Sequence, residues 1–280
     1  MSIRTLFLFI MYVYLPLLYA QINKPVYGVT VDNVKNLHQI TEALERLPVK
    51  PTTRIVFDAE VPAKDYSKAV EEISNVSYVM GELLDSYYMK NYTVTDHKKR
   101  VLDYIETLDD YVDIWEIGNE INGDWLGPKE TVIKKMVDAF NLVNDRGGKT
   151  ALTLYYNKNC IDDVEYEMFN WVNKNVHAKI KQEVDYVFIS YYEDDCNDYQ
   201  PDWQRVFDSL HVIFPNSKLG IGECGTKFKD SKPDYMKRYY SMNITTPGYV
   251  GGYFWWYFRQ DCVPYTKPLW SVLNQVLRAN

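Results

Sequence analysis

Glu120 and Glu223 each close an apolar, strand-like run, Ile114-Trp115-Glu116-Ile117-Gly118-Asn119-Glu120 and Leu219-Gly220-Ile221-Gly222-Glu223. The runs are about a hundred residues apart. Cleavage of a glycosidic bond needs two such acids, one to protonate the leaving oxygen and one to attack or stabilise the sugar carbon. Strand ends can hold both in a fixed relation. The plainer alternative is that each carboxylate caps the helix after its strand, since helix N-termini favour negative charge.

The elements that must position these acids show in an alternation of short and long patterns. Eight β-branched or apolar runs predict strands: Val26–Val31, Arg54–Phe57, Val76–Met80, Val112–Ile117, Thr150–Leu154, Val184–Ser190, Leu219–Gly222 and Val250–Trp255. Each is followed by a helical pattern, with Pro, Gly, Asn and Asp at the boundaries. Val34, Leu37, Ile40, Leu44 and Leu47 recur at helical spacing after the first strand. Leu269, Val272, Leu273, Val276 and Leu277 do the same at the end of the chain. Strands alternating with helices imply a parallel sheet, and eight units in one domain predict an α/β fold closed as a single (β/α)8 TIM barrel. An open, doubly wound sheet is the alternative. The predicted domain covers residues 21–280, without repeats, low-complexity segments or linkers.

In a barrel the active site lies at the C-terminal strand ends. Alternation along a strand puts Ile114, Glu116, Gly118 and Glu120 on one face, and Leu219, Ile221 and Glu223 on another. Glu120 and Glu223 would then face each other across the mouth, with Glu116 about 13 Å deeper at roughly 3.3 Å per residue. A buried Glu116 needs a partner, and Arg54, expected low in the barrel, is the candidate for a structural ion pair.

At this point the residues carry a resemblance. Asn119-Glu120 ending the fourth strand and Glu223 ending the seventh resemble the pattern of the clan of retaining (β/α)8 glycoside hydrolases. Ser190-Tyr191-Tyr192 resembles the clan's polar-x-Tyr after strand six, and Phe254-Trp255-Trp256-Tyr257 its aromatic end of strand eight. The resemblance implies Glu120 as acid/base, Glu223 as nucleophile and Asn119 as a ligand of the sugar 2-hydroxyl. It implies Tyr192, with Tyr191 as alternate, as a hydrogen-bond donor to the nucleophile. Trp255 first, and Trp256 second, would floor the subsite of the reacting sugar. Ile121 stands where many members carry Pro, and no individual family is assigned.

The implied reaction is a double displacement that cleaves O-glycosidic, and by expectation β-, linkages of a poly- or oligosaccharide. Asp32, Asn33, Asp58, Glu60, Glu82, Asp85, Asn157, Asp194 and Asp195 supply further strand-end polar groups, with Asp58 a candidate sugar ligand. Acids outnumber cations there, which favours neutral sugars over uronic acids, although Arg259 falls near the eighth strand end.

Composition sets the remaining bounds. A net charge of −7 with interspersed signs excludes a phosphate backbone as partner, because that binding needs clustered Lys and Arg. The 25 Tyr and 7 Trp, several in apparent loops, suit sugar stacking or simply packing. Arg4, the apolar run from Leu6 to Leu18 and Ala20 predict a signal peptide over residues 1–20, hence a secreted protein without a membrane segment after cleavage. The run is shorter than the about 20 residues a membrane span needs, and an uncleaved anchor is the alternative.

In an oxidising compartment the four cysteines suggest disulfides, and their strand-following positions favour Cys160 with Cys196 and Cys224 with Cys262. Free thiols are the alternative. There is no Cys-x-x-Cys spacing, and His38, His97, His177 and His211 fall in helical patterns, which argues against zinc and against a histidine-dependent hydrolase. No metal, no cofactor and no obligate protein partner is implied. A Gly-x-Ser-x-Gly elbow is absent. Asn75, Asn91 and Asn243 head glycosylation sequons, with Asn75 expected to be the least accessible. The competing function is a catalytically silent, lectin-like barrel that only binds carbohydrate.

Overall fold

The computed structural model describes residues 25–279. The predicted signal peptide lies outside the described residues. Eight parallel strands, β1 (Val26–Val31), β2 (Thr52–Val56), β3 (Tyr78–Glu82), β4 (Ile114–Gly118), β5 (Thr150–Tyr155), β6 (Tyr186–Tyr191), β7 (Lys218–Cys224) and β8 (Tyr249–Trp255), follow one another around a closed barrel. Helices fill every connection, so the fold is the (β/α)8 barrel expected.

Strand alternation sorts side chains into two layers. Val29, Val31, Ile55, Val79, Trp115, Ile117, Leu152, Leu154, Val187 and Ile189 face outward into the main core beneath the helices. Met80, Ile114, Ala151, Phe188 and Phe254 form a separate cluster inside the barrel and plug it. Gly28 makes room for this plug: a Cβ there would lie 2.4 Å from the Phe254 ring. Arg54, Glu82, Glu116 and Thr153 are also fully buried and belong to the inward parity of β2 to β5.

The helices follow their apolar stripes. The first, Leu37–Glu45, buries Ile40, Ala43 and Leu44, and the last, Pro268–Ala279, buries Leu273, Val276 and Leu277. Several strand starts differ from expectation because the preceding helix takes the residues. The amides of Val76 and Ser77 both bond the carbonyl of Ile73, delaying β3 to Tyr78. Val184 caps the helix Ala178–Glu183 through the carbonyl of Ile180, delaying β6 to Tyr186.

Four ladders show a register shift, and those between β4 and β5 and between β6 and β7 each carry a carboxylate. Between β6 and β7, Ile189 pairs Ile221 but Ser190 pairs Glu223, so Gly222 forms a bulge. Leu219 and Ile221 therefore face outward and do not share Glu223's face, as plain alternation would have it. The bulge turns Glu223 inward. In β4 the register shifts between Glu116 and Gly118, the strand ends, and Glu120 adopts a left-handed φ of 46°. Glu120 reaches the mouth from a turn and not as the fourth inward residue of a strand.

The cysteines pair only in part as expected. Cys160 and Cys196 form a disulfide, with Cα atoms 5.1 Å apart, joining the loops after β5 and β6. Cys224 and Cys262 are buried free thiols. The correction has a physical reason: after the bulge, Cys224 faces the outer core, where its thiol donates to the carbonyl of Tyr253 at 2.7 Å. Of the three sequon asparagines all are exposed, including Asn75, because it ends a helix before β3 begins.

Candidate active site

Glu223 sits at the barrel mouth, 6% exposed, with both oxygens occupied. Arg54 Nη1 donates to Oε2 at 2.7 Å, and the Tyr192 hydroxyl donates to Oε1 at 2.6 Å. Burial raises the carboxyl above its ordinary range, while the Arg54 charge and the Tyr192 bond pull it back towards the ionised form. Tyr192 itself is held well above the ordinary phenol range, first by burial and then by the Glu223 charge, so it remains a donor.

Arg54 is completely buried and holds more than Glu223. Its Nε donates to Glu116 Oε2 at 2.7 Å and its Nη2 to Glu116 Oε1 at 3.2 Å, a forked pair. The Thr153 hydroxyl also bonds Glu116 Oε1. Glu82 Oε2 lies 3.2 Å from Arg54 Nη2, yet neither Glu82 oxygen has an aligned hydrogen bond among the described residues. Burial, opposed by Arg54 but reinforced by Glu116, pushes Glu82 well above the carboxylate range. Arg54 keeps its proton because Glu116, Glu82 and Glu223 together outweigh the desolvation that works against its charge. The expected Arg54–Glu116 pair forms, and Arg54 reaches further than expected, linking Glu116 directly to Glu223.

Glu120 faces the same mouth. Ser190 Oγ donates to its Oε1 at 2.7 Å, and Ser86 Oγ donates to its Oε2 at 2.9 Å. Burial, and next the charge of Glu223, lift Glu120 to about 8, against the opposing pull of the two hydroxyls. Neither Glu120 nor Glu223 caps a helix: Pro128 and Ser231 stand at the N-termini of Lys129–Asn144 and Lys232–Tyr240. Asn119 is buried beside Glu120; its Oδ1 accepts from the Ser86 amide at 3.0 Å and its Nδ2 has no partner among the described residues.

These groups line one cleft of about 480 Å³. Its walls are aromatic: Trp125 and Tyr155 on one side, edge to face at 5.3 Å, and Tyr192, Trp256 and Tyr257 on the other. Tyr87, 62% exposed, stands at the rim. Asp85 and Asp195 add negative charge, and no Lys or Arg lines the cleft. Arg259, which the sequence placed near the mouth, is paired with Asp32 at 2.6 Å. A further depression of about 540 Å³ lies on the outer face of Leu37–Glu45, around His38, Thr41, Glu42, Glu45 and Arg46, and brings no such groups together.

Three expected site residues lie elsewhere. Trp255 is fully buried in the outer core, with Nε1 donating to Asp261 at 2.9 Å, because parity at the end of β8 turns Phe254 and Trp256 inward. Tyr191 likewise faces outward, against Tyr156 and Trp203, and its hydroxyl donates to the Tyr199 carbonyl. Asp58 is exposed and accepts from the Tyr66 hydroxyl at 2.8 Å, away from the cleft lining. Ser86, Trp125, Tyr155 and Tyr257 were not anticipated. Trp125 carried a signal, a large aromatic in the polar turn Asn122-Gly123-Asp124, whereas nothing distinguished Ser86.

Among the described residues no group of three or more His, Cys, Asp and Glu side chains could hold a metal ion, and no helix is long and apolar enough to cross a membrane.

No protein-family model matches the chain, and no curated protein sequence matches it. Solved structures do. Saccharomyces cerevisiae Gas2p in complex with laminaritriose and laminaritetraose superposes with a TM-score of 0.61 at 14% identity, covering 91% of this chain and 64% of that one. Gas2p with laminaripentaose gives 0.59 at 14% identity, covering 92% and 66%. A mutant apo form of Gas2p gives 0.60 at 14%, covering 91% and 60%. This chain thus spans less than two thirds of the length of those structures. What it shares with them is the (β/α)8 barrel fold.

Proposed function

We propose that this chain is a retaining glycoside hydrolase that cleaves β-linked oligo- or polysaccharides by double displacement. The observation that carries the reading is the pairing, in one aromatic cleft, of two buried carboxyl groups with different partners: two hydroxyls hold Glu120, whereas a cation and a phenol draw Glu223 back towards its ionised form. Glu120 titrates near 8 and is protonated at neutral pH, whereas Glu223 is ion-paired to Arg54 and bonded by Tyr192. Paired acids whose surroundings push them apart mark the acid and the nucleophile.

In the first displacement Glu223 attacks the anomeric carbon, the glycosidic C–O bond breaks, and the Glu120 proton passes to the leaving oxygen. As a glycosyl ester forms, Glu223 gives up its negative charge and Glu120 gains one, so the charge that raised Glu120 vanishes as Glu120 becomes a base. Glu120 then takes a proton from water, which attacks the anomeric carbon and releases Glu223. The unpartnered Asn119 Nδ2 supplies a donor for a sugar hydroxyl, and Trp256 and Trp125 supply stacking faces.

The acidic lining without cations favours neutral sugars. Laminari-oligosaccharides, the ligands of Gas2p in the similar structures, are the first compounds to test. The Cys160–Cys196 disulfide supports maturation in an oxidising compartment, in keeping with secretion. The experiment is hydrolysis of laminari-oligosaccharides and a panel of other β-linked glycans by wild type and Glu223→Gln. Cleavage lost in the variant by several orders of magnitude is expected. Binding without cleavage by wild type would replace the enzyme with a lectin-like barrel.

A further inference from the structure

Glu120 is gripped from two walls of the cleft, and the two grips differ. Ser190 Oγ, 2.7 Å from Oε1, has no other hydrogen bond among the described residues. Ser86 Oγ, 2.9 Å from Oε2, is also 3.2 Å from Trp125 Nε1. An indole N–H can only donate, whereas a hydroxyl carries one proton and accepts through its lone pairs. Ser86 therefore accepts from Trp125 and has its single proton left for Glu120. If the acid proton sat on Oε2 and pointed at Ser86, the hydroxyl proton of this 4% exposed residue would face no acceptor, and an unpaired buried donor is costly. Ser190, bound by no third group, can turn.

We propose that Trp125 and Ser86 form a one-way hydrogen-bond relay that reserves Glu120 Oε2 as an acceptor and confines the transferable proton to Oε1. The inference rests on the reading of Glu120 as the acid/base. Ser86 is thus a positioning residue, acting on substrate through Glu120. Its amide also donates to Asn119 Oδ1, so the loop after β3 orients both polar residues at the end of β4. Trp125 is at once a wall of the cleft and the start of the relay. A sugar packed against its ring lies over the group that polarises the acid.

Removing a donor from a carboxylate raises its proton affinity. The other charged or titratable groups facing Glu120 are Glu223 from β7, Asp85 beside Ser86, Tyr155 from β5, Tyr192 after β6 and Asp195 across the mouth; none is a donor to Oε2. The Ser86 bond already acts in the required direction, against burial and against Glu223.

The test follows the carboxyl directly. The Glu120 side chain is titrated by 13C NMR in wild type, Ser86→Ala, Ser86→Thr and Trp125→Phe, and the alkaline limb of kcat/KM is recorded in parallel. Ser86→Ala is expected to move titration and limb upward together by about one pH unit. Trp125→Phe, which keeps a ring but not the donor, moves them the same way by less, and Ser86→Thr restores wild-type values. Lower activity or stability with an unmoved titration in both Ser86→Ala and Trp125→Phe would overturn the relay. A shifted titration in a protein that cleaves no glycan would instead sustain the relay and remove the enzymatic reading.

Discussion

Arg54 Nη1 lies 2.7 Å from Glu223 Oε2, joining the middle of β2 to the bulged end of β7 across the barrel. The guanidinium that holds Glu223 is forked onto Glu116 and touches Glu82, so one cation serves three buried carboxyl groups. Burial holds Glu82 well above the ordinary carboxylate range, with Arg54 opposing that rise. The arrangement ties the ionisation of the mouth to the packing of the barrel interior.

Substitution of Arg54 is therefore expected to damage stability and catalysis together. Arg54→Lys keeps a charge but cannot reach Glu116 and Glu223 in the same fork. Breaking a buried pair costs about 3–5 kcal/mol when a charge is left uncompensated. Misplacing the reacting group costs roughly a hundredfold in rate. Thermal denaturation and kcat/KM at one pH read both effects, and a variant with full activity would separate Arg54 from the nucleophile.

Glu120 makes the opposite prediction for stability. Its folded-state value near 8 lies above the ordinary 4.5, so above pH 4.5 the unfolded chain releases a proton that the folded chain retains. The contribution to stability is intact below pH 4.5 and is lost progressively as pH rises towards 8. Glu120→Gln removes this pH dependence. Its Tm is expected to match wild type near pH 4 and to exceed it by pH 8, measured by calorimetry across that window. A gain independent of pH would contradict the raised value.

Thiol titration in denaturant without reductant is expected to count two cysteines, Cys224 and Cys262, and four after reduction. Joint replacement of Cys160 and Cys196 by Ser removes a link across 36 residues and is expected to cost about 4 kcal/mol by loop entropy. A count of zero before reduction would restore the second bridge.

The barrel was legible in the sequence because its cause is local. β-branched runs such as Val26–Val31 and amphipathic stripes such as Ile40 and Leu44 need only their own periodicity to declare themselves. Glu120, Glu223 and Tyr192 were legible as residues at strand ends, and they meet in the cleft. How they arrive there was not. The Gly222 bulge is defined by pairing with β6, and the left-handed turn at Glu120 by the end of the β4 ladder, so neither is written in the run that contains it. Inward parity at the end of β8 selects Trp256 over Trp255, two identical side chains in sequence. Ser86 is one of many loop serines until the loop after β3 closes over Glu120.

The most direct measurement is the site of the covalent intermediate. With a 2-deoxy-2-fluoro glycoside of the sugar that the hydrolysis panel identifies, the slowly turned-over enzyme is digested and mapped by mass spectrometry. A single glycosyl ester on Glu223, with products of retained anomeric configuration, is the expected result. Inverted products without any adduct, or an ester on Glu120, would contradict the assignment of nucleophile and acid.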